Sequence, residues 1–290
     1  MTMTTDLASR IAHVEAMPKL SDQLQSEGLW ARKSFGQHFL LDLNLTRRIV
    51  REAGLTPAIN AIEIGPGPGG LTRALVEADL ASFIAIERDE RFVAFQQPLV
   101  DACDGFFRVI SADALTVNLV EAVPAPRAIV ANLPYNVGTP MLINWLGQMP
   151  EFHSLTLMFQ REVADRIAAA TGSKAYGRLS VLAQLCANVS YVMTIPARAF
   201  TPPPKIDSAV VRLTPREPGL SREEFSALEK VTAAAFGQRR KMLRSSLKTV
   251  FDDPVAALEE LGIKPTARAE EIAPPDFLRI AQMRVGTTAG

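Results

Sequence analysis

Cysteine is scarce in this chain of 290 residues, with Cys103 and Cys186 as the two examples. They lie far apart and lack the short spacing of metal-ligand cysteines, which excludes a disulfide framework and a zinc site of the ribbon type. We therefore predict two buried thiols, a reducing compartment and no bound metal ion.

Long hydrophobic runs are also lacking. The nearest candidate, LSVLAQLCANVSYVMTI, is interrupted by Gln184, Asn188 and two serines, so it falls short of the roughly 18 uninterrupted apolar residues that a spanning helix needs. The first residues mix acids and bases and contain no apolar stretch of the signal-peptide type. We expect a soluble cytoplasmic protein that does not contact the membrane.

Net charge is lacking too, because 31 basic residues balance 31 acidic ones. The bases are nevertheless clustered: residues 32–51 hold five bases and one acid, and residues 230–248 hold six bases and no acid. Solvated helical surfaces are the more ordinary explanation, and nucleic-acid contacts are the alternative. The candidate contacts are Arg32, Lys33, Arg239, Arg240, Lys241, Arg244 and Lys248.

Short apolar segments alternate with helix-like ones between residues 59 and 160. INAIEI, SFIAIE, FFRVIS, RAIVA and LTLMFQ have the length and composition of buried strands. The alternation predicts an α/β fold, a Rossmann-like sheet with helices on both faces. Such a sheet binds its ligands at the carboxyl ends of the strands.

The chain is predicted to have three parts. Residues 1–30 form a marginally helical extension, residues 31–217 form the domain that contains the sheet, and residues 218–290 form a small helical domain. The last boundary follows from TPREPGLS at 214–221, after which only short helix-like stretches occur. Three prolines at 202–204 form a stiff connector between two β-rich pieces.

A glycine-rich turn, EIGPGPGGLT, follows the first of the predicted strands. The spacing Gly65-x-Gly67-x-x-Gly70 allows a ligand close to the backbone, and Glu87 ends the next strand, where an acid can hold ribose hydroxyls. NAD and S-adenosylmethionine fit equally well, and a merely tight turn is the third explanation. Asp113 either accepts a hydrogen bond from an adenine amine or caps a helix over DALTVNLVEA.

The segment ANLPYNVGTP ends the fourth strand with a cluster of uncharged acceptors. The Asn132 side-chain oxygen and the Leu133 carbonyl can accept hydrogen bonds from a nucleobase amine and so expose its lone pair for methyl transfer. Tyr135, after Pro134, can stack on the base, and Phe200 can hold its other face or contact a sulfonium. A turn closing a strand and a core phenylalanine are the ordinary alternatives.

The chain resembles the ribosomal RNA adenine N6,N6-dimethyltransferase family in four ordered motifs: ARKSFGQHFL (31–40), EIGPGPGGLT (63–72), NLPYNVGTP (132–140) and FTPPPKIDSAVVRL (200–213). The resemblance runs from about Ala31 to Gln282 and is greatest to the bacterial small-subunit dimethyladenosine transferases. It implies a class I methyltransferase that uses S-adenosyl-L-methionine and releases S-adenosyl-L-homocysteine. The implied substrate is a pair of adjacent adenines in the 3′-terminal hairpin loop of 16S ribosomal RNA, within the immature 30S subunit.

The resemblance also implies roles for individual residues. The cofactor contacts are His38, Leu40, Gly65, Gly67, Glu87, Asp113 and Asn132, and the amine-activating site is Asn132, Leu133, Pro134 and Tyr135 with Phe200. His38 departs from the family, in which asparagine is more usual at this position. With the resemblance in view, both basic stretches are predicted to contact RNA, and the enzyme is expected to be a monomer.

Other functions stay open at this point. A catalytically silent ribosome-assembly factor of the same fold is disfavoured by the intact Asn132–Tyr135 motif. A DNA adenine methyltransferase would act on a duplex, which a substrate assay distinguishes. A nicotinamide oxidoreductase is the weakest alternative, because no acid or base suited to hydride transfer is apparent.

Overall fold

The computed structural model describes residues 6–31, 37–135, 137–238 and 240–288. The chain divides into two compact units. The first comprises Met1–Met141, Glu151–Arg161 and Tyr191–Arg212, and the second comprises Leu142–Pro150, Glu162–Ser190 and Leu213–Gly290. This division is discontinuous along the chain and differs from the linear boundary predicted at residues 217 and 218. None of the helices in the described ranges is long and apolar enough to span a membrane.

The N-terminal segment packs as part of the first unit rather than as a separate extension. It forms α1 (Leu7–Ala16), which Asp6 caps, and α2 (Leu20–Ser26). Arg10 is 4% exposed, donates a hydrogen bond to the Val76 carbonyl at 3.0 Å, and places its guanidinium 3.4 Å from the ring centre of Phe106. Since Arg10 and Val14 are four residues apart, they lie on one buried face of α1.

The large sheet confirms the predicted fold class. Five strands pair in parallel in the order β4-β3-β2-β5-β6, and β9 and β7 complete the sheet. Four of the five are buried over most of their length, whereas the edge strand β4 is buried only at Phe107. The carboxyl ends of the five parallel strands therefore lie along one edge of the sheet. The strands are β2 (Asn60–Ile64), β3 (Ser82–Glu87), β4 (Phe107–Ser111), β5 (Arg127–Asn132), β6 (Ser154–Gln160), β7 (Ala187–Ile195) and β9 (Ser208–Pro215).

Two distant motifs meet in a small second sheet. Strand β1 (Phe39–Leu40) pairs antiparallel with β8 (Phe200–Thr201), and Leu40 lies opposite Phe200. This pairing holds the QHFL segment against the proline-rich connector, a contact that neither motif predicts by itself. The connecting helices of this part of the chain are α3 (Leu43–Glu52), α4 (Gly70–Val76), α5 (Glu90–Ala102), α6 (Leu119–Ala122), α7 (Gly138–Leu146) and α8 (Arg161–Ile167).

Of the two alternatives for Asp113, the cap of a helix over DALTVNLVEA is wrong, because the first half of that segment is not helical. Helix α6 begins only at Leu119, with Asn118 as its cap, and Asp113 instead stabilises a turn by accepting a hydrogen bond from the Leu115 N–H at 3.0 Å. Thr116 and Val117 are β-branched and disfavour the earlier start.

The second unit is helical, with its own buried aromatic centre. Tyr176 is fully buried and donates a hydrogen bond to the Ile272 carbonyl at 2.8 Å, and its ring meets Phe236 edge-on. Through such contacts the segment around residue 176 belongs to the second unit, although it precedes the boundary predicted at residues 217 and 218. Its helices are α9 (Arg178–Cys186), α10 (Arg222–Gly237), α11 (Leu243–Ser246), α12 (Pro254–Glu260) and α13 (Pro274–Thr288).

Candidate active site

A cavity of about 500 Å³ opens at the carboxyl ends of strands β2 to β5. Its size is that of a small-molecule or cofactor site. Ten of the predicted site residues line it: His38, Leu40, Gly65, Gly67, Glu87, Asp113, Asn132, Leu133, Pro134 and Tyr135. Parallel strand pairing brings the strand-end residues together, whereas His38 comes from the segment that precedes β1, 97 positions from Tyr135.

Phe200 lies elsewhere in the first unit. Its ring is 2% exposed and belongs to the hydrophobic core, and it is absent from the residues that line the cavity. Its backbone nevertheless pairs with Leu40, which does line the cavity. A contact between the Phe200 ring and a target base stays a prediction.

The glycine turn has its backbone shaped for close approach. Gly67 has φ 51°, in the left-handed region that favours glycine, and the Gln96 amide holds its carbonyl at 2.9 Å. At Gly70, a Cβ atom would lie 1.9 Å from the Leu40 carbonyl oxygen. The third glycine of the motif is therefore required by the neighbouring strand β1, and not by a ligand.

Glu87 is a fixed carboxylate at the end of β3. Its Oε2 accepts a hydrogen bond from the Gly67 N–H at 3.0 Å, and Oε1 accepts from the N–H groups of Arg88 and Asp89 at 2.8 Å each. Burial raises the pKa of Glu87, and these three N–H donors oppose the rise. Because a carboxylate has about four acceptor positions, it retains capacity for a ligand hydroxyl.

Asp113 lies at the end of β4 with its carboxylate half-exposed. Besides the Leu115 N–H, it has an ion pair with Arg88 at 3.4 Å, and the Arg88 side chain is 78% exposed. An ion pair this open to solvent contributes little stability. Asp113 therefore remains available to a hydrogen-bond donor that enters the cavity.

The Asn132 amide has a defined orientation. Its Nδ2 donates a hydrogen bond to the His38 backbone carbonyl at 3.4 Å. Because a carbonyl only accepts, the amide nitrogen must face it, which leaves Oδ1 as an acceptor. Within the described residues the Leu133 carbonyl has no recorded donor, whereas the Pro134 carbonyl accepts from Val137 and Gly138. Two adjacent acceptors, Asn132 Oδ1 and Leu133 O, thus belong to one turn.

Tyr135 is held at both of its ends. Its hydroxyl is hydrogen-bonded to the Ser208 hydroxyl at 2.7 Å, and its ring stacks on that of His38, with 5.6 Å between the centres and 29° between the planes. Burial raises the pKa of the Tyr135 phenol, against the opposing effect of the Ser208 hydrogen bond. The side chain is therefore a neutral aromatic platform.

His38 connects two residues of the cavity wall with the proline connector. Besides its contacts with Asn132 and Tyr135, its Nδ1 is 2.8 Å from the Pro202 carbonyl oxygen on the proline connector. Since that oxygen only accepts, Nδ1 carries the proton, and in the neutral ring Nε2 is an acceptor.

Glu63 is a lining residue that the sequence analysis did not single out. It lies on β2, is 2% exposed, and accepts a hydrogen bond at 2.7 Å from the Thr72 hydroxyl. Burial, the largest effect, raises its pKa to about 8 despite that hydrogen bond. The signal was present in INAIEI, where Glu63 is the one charged residue of the strand.

The second unit carries an exposed basic surface. Of the seven predicted RNA contacts, four are exposed: Arg240, Lys241, Arg244 and Lys248. The other three, Arg32, Lys33 and Arg239, lie outside the described residues. Backbone hydrogen bonds from Leu243 to Ala267 and from Arg244 to Pro265 add the exposed Lys264 and Arg268 to this surface. We call these six described residues, Arg240, Lys241, Arg244, Lys248, Lys264 and Arg268, the basic surface.

In the described part of the chain, no group of three or more histidine, cysteine, aspartate and glutamate side chains is arranged to hold a metal ion.

The parallel sheet, the glycine turn and the acidic strand ends define a Rossmann-like class I methyltransferase. The family model for ribosomal RNA adenine dimethylase matches residues 28–284. The chain belongs to this family, which confirms the family and the enzyme class that the sequence predicts.

Similar proteins agree with this assignment. Ribosomal RNA small subunit methyltransferase A of Phenylobacterium zucineum is 54% identical over 92% of this chain and 93% of that protein. The same-named protein of Paramagnetospirillum magneticum is 52% identical over 92% and 94%. Among solved structures, a dimethyladenosine transferase from Plasmodium falciparum is 25% identical, with a TM-score of 0.72 over 84% of this chain and 96% of that one. The 23S rRNA methyltransferase ErmE is 27% identical, with a TM-score of 0.63 over 86% and 99%.

Proposed function

We propose that the protein transfers methyl groups from S-adenosyl-L-methionine to the N6 amines of two adjacent adenines in the 3′-terminal hairpin loop of 16S rRNA. The substrate is the immature 30S subunit, the product is dimethyladenosine, and the reaction serves small-subunit biogenesis. The observation that carries the proposal is the pair of acceptors on the Asn132–Tyr135 turn beside a cofactor-sized cavity. The names of the relatives support the choice of rRNA.

The cavity fits the cofactor by its donor and acceptor set. Glu87 would accept hydrogen bonds from the ribose hydroxyls, and Asp113 from the adenine amine, since each carboxylate ends a strand at the cavity. The glycine turn at residues 65–70 would approach the methionine part of the molecule. When bound, the cofactor supplies an electrophilic methyl group on a sulfonium.

Asn132 and Leu133 would activate the target amine. The lone pair of an adenine N6 is delocalised into the ring, so the amine is a poor nucleophile. Hydrogen bonds from its two N–H groups to Asn132 Oδ1 and Leu133 O would draw the nitrogen toward tetrahedral geometry and expose the lone pair. As the N–C bond forms and the S–C bond breaks, one N6 proton leaves to water, so no strong base is needed. Positioning then supplies much of the rate.

Tyr135 would hold the base in place. Its ring is positioned by Ser208 and offers a flat neutral surface for stacking. Chemistry on a base requires that the base leave its stack, which is easiest in a hairpin loop. The basic surface would contact RNA phosphates, and we expect a monomeric cytoplasmic protein whose RNA binding weakens with salt.

The test is transfer of labelled methyl groups to 30S subunits that lack the modification, followed by nucleoside analysis. N6,N6-dimethyladenosine must appear with the wild-type protein and not with Asn132→Ala. Particle binding without transfer would favour an assembly factor without activity, and transfer to duplex DNA alone would favour the DNA methyltransferase.

A further inference from the structure

Among the described residues, the cavity contains more acidic groups than its basic groups can neutralise. Five of their carboxyl groups line it, from Glu63, Glu87, Asp89, Glu90 and Asp113, and the guanidinium groups are those of Arg88 and Arg91. Arg88 pairs with Asp113, and Arg91 donates to Asp89 at 2.9 Å. The wall therefore suits a ligand with positive charge.

Glu63 is the most deeply buried of these acids. The Thr72 hydroxyl is the one hydrogen-bond donor recorded for its carboxyl among the described residues, whereas Glu87 has three N–H donors. One neutral donor stabilises a buried carboxylate far less than three N–H groups do. In the ligand-free protein this carboxyl group therefore favours its neutral, protonated form.

The charged groups around Glu63 also favour its protonated form. On the adjacent strand β3, the facing residues are Ala85, its register partner, and Glu87, whose negative charge disfavours ionisation of Glu63. On α4, Arg73 is turned away and donates to the Pro18 carbonyl and the Gln23 side chain. No cation of the described residues is recorded as acting on Glu63.

We propose that Glu63 is a proton switch for cofactor binding: its carboxyl group is protonated in the empty cavity and releases that proton to solvent when a cationic ligand enters. This inference rests on the proposed function, in which the ligand is S-adenosylmethionine. S-adenosylmethionine has two cationic groups, a sulfonium and an ammonium, and one carboxylate, so its amino-acid part has a net positive charge. Either cation stabilises the Glu63 carboxylate and so favours loss of its proton.

The measurement is calorimetry of S-adenosylmethionine binding in buffers of different ionisation enthalpy, which counts the protons released. At pH 7 the wild-type protein releases most of one proton more than Glu63→Gln, because a carboxyl with a pKa of about 8 is mostly protonated there. Below pH 8 the wild-type affinity rises by up to about tenfold per pH unit relative to that of the variant. Glu52, an exposed acid on α3 outside the cavity lining, provides the control, and Glu52→Gln leaves the proton count unchanged.

Equal proton counts in wild type and Glu63→Gln, with both proteins binding the cofactor, would overturn the inference. Failure of the wild type to bind S-adenosylmethionine at all would instead overturn the proposed function. If the variant does not fold, the wild type alone decides: after subtraction of the ionisation of the free ligand's own ammonium group, its proton release falls as the pH rises through the pKa of Glu63 if that group is the source. Titration with S-adenosylhomocysteine identifies the cation: release with both ligands assigns the ammonium group, and release with S-adenosylmethionine alone assigns the sulfonium.

Discussion

The cavity edge of the first unit and the basic surface of the second unit are built in opposite ways. At the cavity, Glu87, Asn132 and Tyr135 each form a hydrogen bond with a group that lies at least 20 positions away in the sequence. On the basic surface, the cationic side chains extend into solvent. The first arrangement specifies positions of atoms, and the second supplies only charge.

This difference predicts how each region responds to substitution. A buried, hydrogen-bonded group acts through geometry, so one change removes a large part of the function. Exposed charges act through the sum of many electrostatic interactions, so the effect of a single substitution on RNA binding is small and depends on salt. The following predictions test this contrast from the largest effect to the smallest.

The largest effect is expected at Asn132. Asn132→Ala removes one amine acceptor and should lower the single-turnover rate by roughly 10²–10³-fold, as loss of one preorganised hydrogen-bonding group does elsewhere. Asn132→Asp retains an oxygen but cannot donate to the His38 carbonyl, so an intermediate rate is expected. A rate within threefold of wild type for Asn132→Ala would show that the turn does not activate the amine.

A smaller effect is expected at Glu87, on cofactor affinity. Glu87→Gln replaces a charged acceptor of three N–H groups with a neutral amide, and loss of hydrogen bonds to a charged group costs about 1.5–3 kcal/mol. The dissociation constant of S-adenosylmethionine should rise by roughly 10–150-fold by calorimetry. Glu90→Gln, at an exposed position of the same cavity, is the control, and an equal loss there would refute a specific role for Glu87.

The N-terminal segment tests whether burial alone makes a residue sensitive. Arg10→Ala removes the hydrogen bond to Val76 and the contact with Phe106, and should lower the free energy of unfolding by about 2 kcal/mol. The exposed His13 on the same helix is the control, and His13→Ala should change stability by less than about 0.5 kcal/mol. Chemical denaturation of both variants measures the difference, and equal values would mean that α1 contributes nothing through Arg10.

The smallest effect is expected on the basic surface. Neutralising Lys264 and Arg268 together to glutamine should reduce the slope of log affinity against log salt by about 1.4–1.8, as two lost phosphate contacts do. Arg222→Gln is the control, since Arg222 begins the 16-residue helix α10 and lies outside the basic surface. The measurement is the RNA affinity of each protein across a series of salt concentrations. An unchanged slope would remove these two residues from the RNA contact.

Much of the cavity was predictable from local patterns. Gly65, Glu87, Asp113 and Asn132 each come at or just after the end of an apolar strand, and parallel strands end at one edge, so their convergence follows from the alternation alone. The turn that replaces a helix over residues 114–118 was not predictable in the same way, because hydrogen bonding by the Asp113 side chain competes with helix propensity.

The sequence by itself determined the α/β class, the order of the strands along the chain and the residue types at their carboxyl ends. Those features depend on periodicity over a few residues, which is a local property. The tertiary structure alone decided that α1 joins the first unit, that Lys264 and Arg268 join the basic surface, and that Glu63 is buried with a raised pKa. It also decided the orientations of Asn132 and His38, which depend on partners 94 and 164 positions away. Burial, pKa and hydrogen-bond direction are set by neighbours in space, and the chain order does not specify those neighbours.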